Sequence, residues 1–393
     1  MGIKNGLRGQ QAGCFSKFQV RKLEDILDAC RFDPSLASDL EGCGPVAELE
    51  RQFAKMCGVG YALALSSGTA ALHVALLAAG IRAGDEVIVT SYSWAQSVSP
   101  VLFCGATPVF ADIDPGTCNL DPVSVKSRIS SRTRAILTVH LFGQPADLCE
   151  LREIADQHQL TLIADGAHAL GAKLDGGSLA ARATATCYSL SRGKLVFAGE
   201  GGIMVTNDDA LYRKAVRFSQ HHERVRRIEG NGGREGFALN YRLHPLAALL
   251  ALGSLAEIES RFDHRRAVRE AFAAGLGKCD RLVFPQNLPG VQPAPYGIPL
   301  TYSGSDGREQ LVARVRERGI PLRCGPVVEA LHRRLDSHGF PGIVPHLSWK
   351  AGACPQAEDR CRNRELWVLS ALDMDGVSLE QAERFGLVIR KLL

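Results

Sequence analysis

None of the twelve cysteines in this chain of 393 residues forms a C-x-x-C pair. A zinc ribbon and a thioredoxin-like motif are therefore unsupported. No dense basic run carries interleaved aromatics, and Lys plus Arg (46) nearly balance Asp plus Glu (42), for a net charge of +4. That balance gives no footing for nucleic-acid binding. The one clustered basic stretch, Arg224-Val225-Arg226-Arg227, is short and followed by Glu229, and reads as a solvated loop. The most apolar stretches, 70–81 and 246–258, are too short or too interrupted to cross a bilayer. Gly6 stands where a myristoylation pattern needs Ser or Thr. Internal repeats and low-complexity segments are missing too. No secretory leader is recognisable, so the cysteines are expected to be reduced thiols of a cytoplasmic protein.

What is present is an ordinary globular composition, 46% apolar and 22% charged, in a chain long enough for a large and a smaller domain. Short apolar runs alternate with helical spacing. Strands are expected at 61–65, 86–90, 107–112, 135–140, 160–164 and 203–206. Helices are expected at 18–31, 46–57, 70–79, 123–129, 148–158, 208–218, 244–258 and 261–276, with a turn at Gly42-Cys43-Gly44-Pro45. Such alternation argues an α/β fold with a mainly parallel sheet. The stretch 219–237 is polar, Gly-rich and Arg-rich, and reads as an exposed loop. From about 296 the pattern becomes a smaller α+β unit, with strands at 296–302 and 320–324 and helices at 306–318 and 378–392. The expected organisation is an N-terminal arm over 1–40, a large domain over 41–255 and a small domain over 256–393.

Three stretches carry chemistry. Lys194 sits between Gly193 and apolar residues, ahead of Gly199-Glu200-Gly201-Gly202. Burial disfavours the charged amine and lowers its pKa, which suits attack on an aldehyde; the plain alternative is a surface lysine on a turn. Ser66-Ser67-Gly68-Thr69 links a strand to a helix, where free backbone N–H groups offer an anion site or an ordinary cap. Asp165 ends an apolar strand three residues before His168, as a site carboxylate or a helix cap. Trp94, among Ser91, Ser93 and Gln96 at another strand end, is either core or pocket wall. Phosphate anchor, carboxylate and lysine together are the parts a pyridoxal phosphate site needs.

The chain resembles the DegT/StrS family of fold-type-I, pyridoxal-phosphate-dependent sugar and cyclitol aminotransferases. The resemblance runs through Gly44-Pro45, S-S-G-T-A-A-L-H at 66–73, G-D-E-V-I-V-T-S-Y-S-W at 84–94 and G-A-T-P-V-F-A-D-I-D at 105–114. It continues with H-L-F-G-Q-P-A-D-L at 140–148, D-G-A-H at 165–168, S-L-S-R-G-K-L-V-F-A-G-E-G-G at 189–202 and N-Y-R at 240–242. It implies that Lys194 is the Schiff-base lysine and proton shuttle. Asp165 would pair with the pyridine nitrogen, His168 would stand near the phenolic oxygen, and Trp94 would stack on the ring. Gly68, Thr69 and Ser189 would hold the phosphate, Asn240 would reach it from a partner subunit, and Arg242 would lie near substrate. A homodimer with shared active sites follows from that placement of Asn240.

Sugar dehydratases of the family carry His in place of this lysine, so transamination is expected, from Glu or Gln to a keto-sugar, keto-cyclitol or related ketone in secondary-metabolite, antibiotic or glycan biosynthesis. A dehydratase or aromatising synthase of the same fold, and a non-catalytic regulator, are the other readings. Leu190-Ser191-Arg192-Gly193 departs from the usual family stretch before the lysine, and the segment after it looks more like the cyclitol and aminohydroxybenzoate branch. His221-His222-Glu223-Arg224 lacks partner ligands at zinc spacing, so no metal is expected.

Overall fold

The computed structural model describes residues 38–230, 236–305, 307–338 and 350–393. The helix expected at 18–31 lies outside these residues. A seven-stranded sheet forms the centre, in the order β1-β9-β8-β5-β4-β2-β3. Its strands are β1 (Tyr61–Leu65), β2 (Glu86–Thr90), β3 (Thr107–Ala111), β4 (Thr133–Val139), β5 (Thr161–Asp165), β8 (Ala185–Ser189) and β9 (Gly202–Thr206). Neighbours from β8 to β3 run parallel, while β9 pairs antiparallel with both β1 and β8. All five residues of β2 are buried, as expected for a parallel strand covered on both faces. The α/β architecture expected from the alternating pattern is therefore the one observed.

Two hairpin strands, β6 (Lys173–Leu174) and β7 (Gly177–Ser178), leave the main sheet. With β11 (Val291–Gln292) they make a three-stranded ribbon that is too short to have been legible as strands. A third sheet joins β10 (Leu282–Val283), β12 (Pro299–Tyr302), β14 (Glu365–Trp367) and β13 (Arg323–Cys324). It packs with the helices Ile258–Leu276 and Leu379–Leu392 around its own apolar cluster, which includes Phe272, Leu300, Leu311 and Ile389. The larger cluster fills both faces of the seven-stranded sheet.

The stretch 219–237 is not simply a loop. A helix runs from His222 to Glu229, capped by the His221 side chain. Arg224 is 1% exposed, and its Nη2 donates to both carboxylate oxygens of Glu50, at 2.7 and 2.9 Å. Glu50 also accepts the Ala64 N–H at 2.7 Å, so the buried carboxylate is fully occupied. The basic cluster suggested solvent, but tertiary pairing to a carboxylate far away in sequence drew one of its arginines inside. The turn at Gly42–Pro45 is also shorter than expected, because the helix Gly44–Cys57 already includes Gly44 and Pro45, with Pro in its first turn. Farther on, only Arg323 and Cys324 of 320–324 pair as a strand.

Candidate active site

The C-terminal ends of β2, β5 and β8 and the helix start at Gly68 converge on one cavity of about 430 Å³. Ser67 caps the helix Gly68–Ala78, accepting the Ala70 N–H at 3.0 Å, while the Ser67 carbonyl accepts from Ala71. The N–H groups of Gly68 and Thr69, in the first turn, have no carbonyl four residues back within the helix and are left to the cavity they line. Close packing makes glycine necessary here. A Cβ at Gly68 would lie 2.9 Å from the Ser189 Cβ, and a Cβ at Gly202 would collide with the Ser67 carbonyl. Two glycines thus let the helix N-terminus sit directly against Ser189, at the end of β8.

Asp165 closes β5 and is 7% exposed. Its Oδ1 accepts the Ala167 N–H at 3.0 Å and its Oδ2 the Ser97 hydroxyl at 2.7 Å. Ser97 in turn meets the Ser93 hydroxyl at 2.9 Å. Burial pushes the Asp165 pKa up, while Ser97, Ala167 and the Lys194 charge oppose that rise. His168, 5% exposed, has its pKa held well below the ordinary histidine value, first by burial and then by Lys194. The ring is neutral, and its Nδ1 accepts the Phe142 N–H at 3.3 Å. The ring proton therefore belongs to Nε2. Trp94 meets His168 edge-on, with centroids 4.8 Å apart.

Lys194 follows a tight turn in which its N–H donates to the Ser191 carbonyl at 3.1 Å. Gly193 supplies the left-handed φ of 85° that this turn needs. Burial lowers the Lys194 pKa to about 8, with Asp165 pulling the other way. The amine donates to the Tyr296 hydroxyl at 3.3 Å. Tyr296 stacks on His168 at 3.9 Å between centroids and 15° between planes. Burial raises its pKa above the ordinary phenol value. The H-L-F-G motif places this tyrosine: the Gly143 carbonyl accepts from Ala294, and a Cβ at Gly143 would collide with the Ala294 carbonyl.

Gly68, Thr69, Trp94, Asp165, His168, Ser189 and Lys194 all line this cavity; Asn240 and Arg242 do not. Asn240 is exposed in a left-handed conformation, φ 54°, and accepts from Arg242 Nε at 2.7 Å. Both lie beside the turn at 66–69, since the Tyr241 carbonyl accepts the Ser66 N–H at 2.8 Å. Ser97 and Tyr296 were not singled out in the sequence. Ser97 carried a signal, being three residues after Trp94 on the helix that follows β2. Tyr296 carried none, because it stands in a proline-rich stretch whose path depends on Gly143. His221, His222 and Glu223 bring one ligand atom each within 4.8 Å of one another. His221 Nδ1 already accepts the Glu223 N–H as the helix cap, and burial, then His222 and Arg242, lower its pKa while Glu223 opposes them.

A family model for DegT/DnrJ/EryC1/StrS aminotransferases matches residues 37–333. The chain belongs to that family. A GDP-perosamine synthase of Caulobacter vibrioides is 39% identical over 232 residues, covering 57% of this chain and 59% of that protein. An L-glutamine:scyllo-inosose aminotransferase of Streptomyces griseus is 41% identical over 212 residues, covering 53% and 49%. The chain thus spans about three fifths of the length of the curated relatives it matches first. Among solved structures, an aminotransferase from Psychrobacter cryohalolentis superimposes with a TM-score of 0.83 at 25% identity, covering 95% of this chain and 96% of that one. Aminotransferases of the DegT/DnrJ/EryC1/StrS family depend on pyridoxal phosphate. The donor set fits that group: paired N–H groups at a helix start, a buried carboxylate, a neutral imidazole with its proton on Nε2, and an amine held below its usual pKa. No described helix is long and apolar enough to cross a membrane.

Proposed function

We propose that the chain is a pyridoxal-phosphate-dependent aminotransferase that takes an amino group from glutamate or glutamine and gives it to a keto-sugar or keto-cyclitol. The observation that carries the reading is the Lys194 amine, on the wall of the pocket that Asp165 also lines, with a depressed pKa and Asp165 in electrostatic range. Gly68, Thr69 and Ser189 would hold the phosphate, Asp165 the ring nitrogen, His168 Nε2–H the phenolic oxygen, and Trp94 the ring face. When bound, the cofactor supplies an aldehyde carbon and an electron-withdrawing ring.

This chain's residues supply the rest. At neutral pH a useful fraction of Lys194 is unprotonated, so its Nζ can accept the proton from the donor's α-carbon and later return one to the acceptor carbon. Ser97 and the Ala167 N–H favour the ionised form of Asp165, which would keep a proton on the ring nitrogen of the bound cofactor. Tyr296 lies against Lys194 and walls that side of the pocket. The reading includes a homodimer in which Asn240 reaches the neighbouring subunit's phosphate. Exposed Phe218, Phe237 and Leu239 beside Asn240 support such a contact. It also includes a cytoplasmic location, a role in secondary-metabolite or glycan synthesis, and a division into large and small domains near residue 256.

An absorbance spectrum of purified protein with pyridoxal phosphate, before and after L-glutamate or L-glutamine, tests this. The visible band of the bound cofactor should fade and an ultraviolet band grow on adding donor. In Lys194→Ala the response should be lost, with a fall of at least about 10³-fold in amino transfer. A bound cofactor that neither amino acid alters would sink the transaminase reading.

A further inference from the structure

Among the described residues, four cavity-lining side chains carry a formal charge: Asp165, Arg192, Lys194 and Glu200. The first and third are committed, Asp165 to Ser97 and Ala167, and Lys194 to Tyr296. Arg192 and Glu200 are exposed on the cavity wall. Among the described residues neither makes a hydrogen bond or an ion pair, with each other or with any other group. Elsewhere the protein pairs its arginines readily: Arg213 and Arg217 are held by carboxylates even on the surface. An unpaired guanidinium facing a cavity is therefore the exception.

Its placement is fixed. Arg192 occupies the second position of the four-residue turn that ends at Lys194, and the turn is locked by the Ser191–Lys194 hydrogen bond and by the φ of Gly193. Ser191 is pinned in turn through its hydroxyl to that of Ser189, 3.0 Å away. The base of the Arg192 side chain thus cannot drift relative to the reacting amine. A ligand whose reacting carbon lies at Lys194 presents its adjoining polar group to the same rim.

We propose that Arg192 is the oxyanion-recognition residue of this pocket, taking a carboxylate or a phosphate of the reactants in a two-pronged guanidinium contact. This deepens the aminotransferase reading and rests on it. A planar guanidinium matches both anions, and such charge-assisted pairs outrank neutral hydrogen bonds. Two sources fit one chemistry: the carboxylate of the amino-acid donor, and the phosphate of a nucleotide-linked keto-sugar. Glu200, on the same rim, repels a bare anion and accepts from hydroxyl or amide N–H groups. The rim therefore favours ligands that combine an oxyanion with hydrogen-bond donors over plain apolar ketones.

The test uses cofactor-loaded wild type, Arg192→Gln and Arg192→Lys. L-Glutamate is titrated by the cofactor band; maleate, which has no amine to transfer, and GDP are titrated by calorimetry. In Arg192→Gln the glutamate concentration for half-maximal response and the maleate Kd should both rise about 10- to 100-fold, with the limiting rate nearly unchanged. Arg192→Lys should fall between, keeping the charge without the fork. If GDP binding weakens by that factor while glutamate and maleate do not respond, the anion is the phosphate. Unaltered affinity for all three ligands in Arg192→Gln, with the cofactor band intact, would overturn the assignment and leave the aminotransferase reading standing. A wild type whose cofactor band ignores every amino donor overturns both.

Discussion

The floor of the pocket and its rim treat polar groups in opposite ways. On the floor, Asp165 and His168 are buried, and their hydrogen-bonding atoms are directed by Ser97, Ala167 and Phe142. At the rim, Arg192 and Glu200 are exposed and make no such bonds among the described residues. A buried carboxylate must be satisfied internally, because water is not there to do it. A charge at the rim can stay hydrated until a ligand replaces the water. The floor is thus organised in advance for one invariant group, and the rim stays open for reactants that come and go. Catalysis draws on the first kind of site, and specificity on the second.

After the loss of Lys194 itself, the largest effect expected from breaking the floor is at Asp165. Asp165→Asn keeps the size and the Ala167 contact but removes the charge. Amino transfer should fall about 10²- to 10³-fold, comparable to losing one preorganised electrostatic partner. Rapid-mixing measurements of the glutamate half-reaction would show it. A variant within a few-fold of wild type would mean that the ring nitrogen is not held by this carboxylate.

A smaller change reaches the same atom indirectly. Ser97→Ala removes the donor to Asp165 Oδ2. That hydroxyl favours the ionised carboxyl, so without it the Asp165 pKa, already pushed up by burial, should rise further. A hydrogen bond to a charged group is worth about 1.5–3 kcal/mol, or roughly one to two pH units. Cofactor affinity measured against pH should lose its acid side first: the limb moves to higher pH by about that amount, with the alkaline plateau little changed. Ser97→Thr should restore the profile. A uniform loss at every pH would point to damaged packing instead.

The same contrast explains what could be read in the sequence. Lys194, Asp165 and the Gly68-Thr69 turn were legible because each sits in a local signal: glycine framing, the end of an apolar strand, a strand–turn–helix junction. Six of the seven main strands were legible for the same reason, except that the boundaries of most shifted by a residue or two. Tyr296 was not legible, since its position depends on the Gly143 carbonyl more than 150 residues earlier. Arg224 was misread because its sequence neighbours are charged, while its partner, Glu50, belongs to another helix. Asn240 and Arg242 matched a family motif, yet in their own chain they lie beside the cavity and not in it. Local patterns specify elements and strand-end residues; contacts across the fold decide the remaining walls.

The smallest expected effect is on stability, and it runs against function. The Lys194 pKa is about 8 in the folded protein against 10.5 for a free lysine side chain. Between those values the unfolded chain binds more protons than the folded one, so stability rises with pH from about 8 to about 10.5. Below pH 8 the protein carries the full cost of burying a charged amine. Lys194→Met keeps the stem and removes that cost. In cofactor-free protein at pH 7 it should therefore raise stability by about 1 kcal/mol, a figure reduced for partial exposure and for the lost Tyr296 contact. Denaturant unfolding at pH 7 and pH 10 would show a gain at the lower pH that shrinks at the higher. Equal midpoints at both would mean that the amine is fully hydrated, and the rule that separates floor from rim would then have to place Lys194 with Arg192.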